Sequence, residues 1–472
     1  MNTLPPEIVL QILGILKHEE NSIAPLLTLN SQWFNCGISV LWGDDCLGEG
    51  KESELAKVHE DCRQIYASVI RSFNLTVNQR ASQTAFRYLA FPELICLTIA
   101  FEPPTYEEDQ IPGSLVSQDK IDLQPYLHSS LRYLWVTGYV NADLLGFPDT
   151  YCCHLRTLFI TNINAHPHHT LEVLSRVLQN NGTVINVALT WKDPARRMAA
   201  DIFNILAKHN NLRHLTTDGL VNKYLLETLS NSSPFTALRD LTIRVTDDAL
   251  SSLLAIAGSI RDLKRLHLHM SERSDTSVLD STVFSSISKL TGLHSLELSI
   301  HGSTEVMSNK DLLSLGTLTQ LRELRLLSND SSSFQAPHFT DSDFERLVAN
   351  LPHLVVIKLK LTGSILTAVC LGILGKHCPL LEILYLAGHF DMMVLNPEKA
   401  PFLPRLTHLA VGAFIDTQSE IGAAYEHVLQ IERLFPKLRG LKHFETIHSR
   451  DLPQDMAFSH WIIYYWEKGH RR

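Results

Sequence analysis

Ten side chains of this 472-residue sequence have the types and spacing of a binding surface. Tyr133, Trp135 and Phe159 supply rings, and Arg244, Arg265, His267, His269, Arg325, Lys358 and Lys360 supply cationic or titratable groups. Each falls among leucines spaced Leu-x-x-Leu-x-Leu, where alternate side chains of a strand emerge on the face opposite the leucines. An aromatic floor at one end and cations in the middle suit an acidic or phosphorylated protein segment, which Arg and Lys bind through charge-assisted hydrogen bonds. Glu297 and Glu323 interrupt the basic stripe. Arg132, Arg156, Arg213, Arg239 and Arg322 recur within Leu-Arg-x-Leu and are weaker candidates, because a solvated strand edge is polar in any repeat protein.

Other chemistry finds little support. Cys152, Cys153, His154, His166, His168 and His169 crowd together, but their spacing matches no standard zinc pattern, so no metal is expected. There is no GxSxG, no HExxH and no dinucleotide-binding glycine motif. Gly375-Lys376 only imitates a phosphate loop, since the required first glycine is Cys370. A non-enzymatic chain without a cofactor is the expectation.

The elements that must position the ten residues are repeats. Leu-x-x-Leu-x-Leu units begin at Leu94, Leu131, Leu155, Leu238, Leu263, Leu293, Leu321, Leu354, Leu381 and Leu406, with degenerate copies at Val184, Leu212 and Leu438. Their mean spacing, about 29 residues, lies in the leucine-rich-repeat range. Between strands run helical patterns such as Leu250, Leu253, Leu254, Ala257 and Phe344, Leu347, Val348, Leu351, with start signals at Thr246 and Thr340. This predicts an α/β repeat: a right-handed solenoid horseshoe with a parallel concave sheet and outer helices over 91–450. Residues 46–90 read as a connector, with one helix through Leu55, Val58, Cys62, Ile65, Tyr66 and Val69 and a first strand at Phe73, Leu75 and Val77. Residues 102–126 and 328–333 read as inserted loops, and the aromatic segment in 451–472 as a C-terminal cap.

Residues 1–45 predict three small helices. Thr3 is placed to cap the first, which carries Pro5 and Pro6 in its opening turn and Ile8, Val9, Ile12, Leu13 and Leu16 at helical spacing. Ile23 to Leu29 and then Phe34, Gly37, Ile38 and Leu41 supply the others. So short a bundle must lean on the rest of the chain or on a partner. LPPEIVLQIL at 4–13, SQWF at 31–34 and LW at 41–42 resemble an F-box, and the repeats resemble those commonly joined to F-boxes. The resemblance, to F-box proteins with leucine-rich repeats, covers nearly the whole chain. It implies a substrate receptor of an SCF ubiquitin ligase that docks a Skp-family adaptor, and through it a cullin, by Leu4, Pro5, Pro6, Ile8, Ile12, Leu13, Leu16 and Trp33. The alternative is a repeat scaffold outside any ligase, its N-terminal helices serving only as a cap.

Composition is compatible with either. Hydrophobic residues make up 45% and the formal charge is −9, so wholesale affinity for nucleic acid or an anionic membrane is not expected. The longest apolar run, Ile365 to Leu374, is too short to span a bilayer. Eight cysteines without a CxxC pair fit free thiols in a reducing compartment, hence a cytoplasmic or nuclear location.

Overall fold

The computed structural model describes residues 4–17, 23–43, 51–77, 86, 88–101, 123, 125–138, 152–163, 168–191, 198–229, 234–270, 282–300, 304–328, 333–396, 402–415, 421–443 and 453–470. They fall into two compact units, Met1–Gly219 and Leu220–Arg472.

The first unit opens with helices α1 (Pro6–Leu16) and α2 (Ser31–Gly43), joined through a 3₁₀ turn at Ala24–Thr28. Thr3 lies outside the described residues; Pro5 occupies the cap position, and its carbonyl accepts from the Ile8 and Val9 amides at 3.0 and 3.2 Å. Val9, Leu13, Ile23 and Val40 form the bundle interior. A Cβ at Gly37 would meet the Leu27 Cδ2, so the Leu27 side chain would have to turn away. The other side of α2 carries Phe34 and Trp42, whose rings meet Tyr66 edge-on at centroid distances of 6.5 and 5.3 Å. Tyr66 belongs to α4 (Glu60–Ala67), which follows α3 (Lys51–Lys57). The single connector helix expected from sequence is therefore two. The break at Val58–His59 is held by Arg63, whose guanidinium donates to the carbonyls of Val58 and Ala56 at 2.9 and 3.0 Å.

Six parallel strands follow: β1 (Ser72–Val77), β2 (Cys96–Phe101), β3 (Tyr133–Thr137), β4 (Thr157–Ile163), β5 (Asn186–Trp191) and β6 (His214–Val221), the last reaching the unit boundary. Their register aligns Phe73, Leu97, Leu134, Leu158, Val187 and Leu215, all buried. Phe86, Phe91 and Tyr126 close the first end of this core, with ring centroids 5.0–5.9 Å from Phe73.

In the second unit β7 (Asp240–Val245), β8 (Arg265–Met270), β9 (Ser295–Ile300), β11 (Glu323–Ser328), β13 (Val356–Leu359), β15 (Ile383–Phe390), β16 (His408–Phe414) and β17 (Gly440–His443) pair in that order, all parallel. Every repeat start read from the sequence thus leads into a strand. Burial alternates along β7 and β8, so one face is core and the other open, whereas β9 and β16 also bury part of their outer row. Leu250, Leu253, Leu254 and Ala257 are buried on helix Asp247–Ser259 and Phe344, Leu347 and Val348 on helix Asp341–Val348. Thr340 builds a full capping box with Asp343, whereas the Thr246 hydroxyl turns to the Asp248 carboxylate and caps no amide. The combination is a leucine-rich-repeat α/β solenoid.

A second parallel sheet was not anticipated. β10 (Thr304–Val306), β12 (Ser333–Gln335) and β14 (Leu361–Thr362) pair in that order, one segment from each of three consecutive repeats, with Phe334 and Leu361 buried. β12 begins at the end of the Ser-rich 328–333 stretch read as a loop. Helix Pro453–His470 packs on β16, β17 and helix Ile421–Leu434, burying Phe458, Ile462 and Trp466 at a four-residue spacing. Its Ser459 hydroxyl accepts from the Phe414 amide at 2.8 Å and donates to the Phe414 carbonyl at 3.3 Å.

Candidate functional site

The N-terminal candidates divide into two groups. Leu13 is completely buried, and Leu16 and Trp33 pack against the same interior, so these three hold the bundle together. Leu4, Pro5, Pro6 and Ile8 are exposed and Ile12 is half-buried. Ile15, which the sequence reading passed over, is 73% exposed, and Ile8 is 41% exposed. Ile8, Ile12 and Ile15 stand at i, i+4 and i+7 of α1, one stripe whose centre lies about a third of a turn from that of Val9 and Leu13. The Gln32 amide of α2 donates to the Leu4 carbonyl and fixes the chain that leads into this stripe.

On the open face of the first unit, Tyr133 and Trp135 are 43% and 41% exposed. Phe159, in register with Trp135, meets it edge-on at 5.3 Å. The rest of these two side-chain rows contains no Asp, Glu, Lys or Arg: Ser72, Cys96, Thr157, Asn186 and His214 in one, Asn74, Thr98, Ala188 and Thr216 in the other.

On the second unit the expected cationic middle proves to be neutralised in part, at Arg265 and Arg325. Arg265 pairs with Asp240 of the preceding strand. Arg325 bridges Glu297 at 3.2 Å and Glu323 at 2.8 Å. His267, in register between Thr242 and Glu297, shares a hydrogen bond with the Ser295 hydroxyl at 3.0 Å. Burial holds its pKa below the usual histidine value, against the opposing pull of Glu297. Lys358 sits 4.6 Å from the centre of the Tyr385 ring; burial first, and then Arg325, lower its pKa. Lys360 donates to the Ser328 carbonyl at 3.4 Å, and Arg244 and His269 are half-buried on neighbouring strands. Arg265 and Arg325, foreseen as part of an open anion site, are thus already engaged by carboxylates of their own or the adjacent strand.

A row undervalued in the sequence lies just below the strands of the first unit. Arg71, Ile95, Arg132, Arg156, Ile185 and Arg213 succeed one another, each amide donating to the carbonyl of the one before at 2.8 Å. The recurrent Leu-Arg-x-Leu already placed Arg132, Arg156 and Arg213 at one repeat position.

Of the cysteine–histidine cluster, Cys152 is buried, and burial pushes its thiol up to about 12; Cys153 and His154 are exposed. His166 and the side chains of His168 and His169 lie outside the described residues. Among the described residues no three His, Cys, Asp or Glu side chains are grouped to hold a metal, and no helix is long and apolar enough to cross a membrane.

The sequence matches no protein-family model and no curated protein. Solved structures with a similar chain path include a yeast complex of Rad7 and Elc1, at 13% identity over 96% of this chain and 97% of that one, TM-score 0.38. Another is TLR13 in complex with ssRNA13, at 14% identity over 82% and 55%, TM-score 0.40. A third is the leucine-rich-repeat ectodomain of the Arabidopsis receptor kinase HAESA with a peptide hormone, at 12% identity over 76% and 68%, TM-score 0.30. Likenesses of this size do not bear on what the chain binds.

Proposed function

We propose that this chain is the substrate-recognition subunit of an SCF-type ubiquitin ligase. Its N-terminal bundle docks a Skp-family adaptor, and through it a cullin, while the open face of the repeats holds a protein substrate. The observation that carries the reading is the aliphatic stripe Ile8, Ile12 and Ile15, presented outward beside exposed Leu4 and Pro5 by a bundle whose interior is filled without it. Exposed apolar surface of this kind marks a partner site. It coincides with the segment that resembles an F-box. The chain then supplies proximity and orientation, so no nucleophile, general base or cofactor is needed in it.

The test is co-expression of the full chain with a Skp-family adaptor, comparing the unmodified protein with Ile8→Ser/Ile15→Ser. The exposed parts of these two residues amount to little more than one isoleucine. Its loss from an interface costs about 1.5–3 kcal/mol, or about tenfold to a hundredfold in affinity. Recovery of the complex only with the unmodified chain supports the reading. Absence of any complex sinks it in favour of a repeat scaffold outside a ligase.

A further inference from the structure

Arg265 and Arg325 of the second unit are engaged by carboxylates, whereas the first unit sets a row of arginines beside an aromatic platform. Of the four arginines in its lower row, Arg71, Arg156 and Arg213 are exposed and Arg132 is half-buried. Among the described residues none of the four has an ion pair with a carboxylate. Arg132 donates to the Ser129 and Leu131 carbonyls at 2.6 and 3.2 Å, which orients its guanidinium without neutralising it. Adjacent strands lie about 4.8 Å apart, so Arg132 and Arg156 stand side by side, with Arg71 and Arg213 each about 10 Å further out. Half-buried Ile95 and Ile185 fill the two gaps. One residue above Arg132 is Tyr133, and two further along the strand is Trp135, edge-on to Phe159.

We propose that the arginine row and the aromatic platform together form one site for an extended acidic peptide segment in which acidic and apolar side chains alternate, with an aromatic residue seated against Trp135. This rests on the substrate-receptor reading and specifies the kind of segment recognised. Guanidinium groups bind carboxylates in pairs of parallel hydrogen bonds, and the unneutralised charge draws the segment to the margin. Apolar residues opposite Ile95 and Ile185, and a ring on the platform, supply the remainder. A nucleic acid fits less well. Its evenly charged backbone would face isoleucine at two of six positions.

The test is fluorescence anisotropy on the full chain with a labelled ten-residue peptide alternating Glu and Val around a central Phe. The same peptide with Gln in place of Glu and a ten-nucleotide oligodeoxythymidine serve as comparisons. Binding of the acidic peptide that weakens with salt, falls at least tenfold in Arg156→Glu/Arg213→Glu and falls in Trp135→Ala is the expected result. Arg433→Glu/Lys437→Glu, an equal charge change at exposed residues of the second unit, should leave it unaltered. Absence of binding by the unmodified protein overturns the proposal. So does equal weakening by the charge-matched control, an equal affinity for the Gln peptide, or tighter binding of the oligonucleotide. Thermal midpoints of all variants confirm that exposed positions were changed without unfolding. Adaptor co-purification is read separately, so loss of that complex with peptide binding intact overturns the ligase reading alone.

Discussion

The division of α1 into a supporting and a presenting face is sharp enough to be measured. Leu13 is fully buried among Val9, Ile23 and Val40, so Leu13→Ala removes packing that cannot be restored by water and should cost about 2–5 kcal/mol. A segment of about forty residues commands only about 2–6 kcal/mol in total at the usual stability per residue. One truncation should therefore open most of the bundle. Ile15, at 73% exposure one half-turn further on, loses little that is packed, and Ile15→Ala should fall within about 0.5 kcal/mol of the unmodified chain. Hydrogen exchange followed by mass spectrometry resolves the two locally. For Leu13→Ala, amides of 6–16 and 31–43 should exchange about thirtyfold faster or more, the equivalent of 2 kcal/mol, with strands of the second unit unaffected. For Ile15→Ala, rates should stay within about threefold. Equal acceleration by both substitutions would refute the assignment of faces, because it would mean that Ile15 is part of the interior.

Two further outcomes follow from packing and titration. Gly375→Ala would bring a Cβ to 2.5 Å from the Phe402 carbonyl oxygen, so backbone must shift; a cost of about 1–3 kcal/mol, seen as a lower thermal midpoint, is expected. Burial pushes the Cys152 and Cys378 thiols up to about 12 from 9.0, and Cys370 is also raised, by burial and then by Asp341. Because the folded values exceed the unfolded one, this contribution is complete below about pH 9 and is lost as pH rises from there toward 12. Cys152→Ala/Cys378→Ala should accordingly lose stability less steeply between pH 9 and 11 in denaturant titrations, and parallel slopes would contradict the burial argument.

The main sheet was legible because each strand repeats the same demand, an inward leucine at fixed spacing, so that even degenerate starts such as Val184 and Leu438 are strand entrances. The second sheet was not, because segments of two or three residues such as Leu361–Thr362 carry no period. The α1 pattern identified an apolar helix. It could not say which side faces in, since Ile8, Ile12 and Ile15 are as hydrophobic as Val9 and Leu13; only the packing partners Ile23 and Val40 decide that. Likewise, type and spacing identified Arg265 and Arg325 as outward cations, while their neutralisation depends on cross-strand neighbours 25 to 28 residues away, Asp240 and Glu297. The break at Val58–His59 follows from Arg63 reaching back to two carbonyls, a tertiary choice that helical periodicity does not encode.

The small second sheet alters how this part of the chain should melt. In a repeat array, cooperativity comes from the coupling between nearest neighbours, and uniform coupling lets unfolding begin anywhere. β10, β12 and β14 add a second backbone ladder to repeats already joined through β9, β11 and β13, which locally strengthens that coupling. Those three repeats should open as one block and act as the late-melting centre of the second unit, with fraying proceeding inward from its margins. An inserted residue in any one of the three segments would have to be accommodated by both ladders at once, making this the stretch of the solenoid least permissive to changes in length.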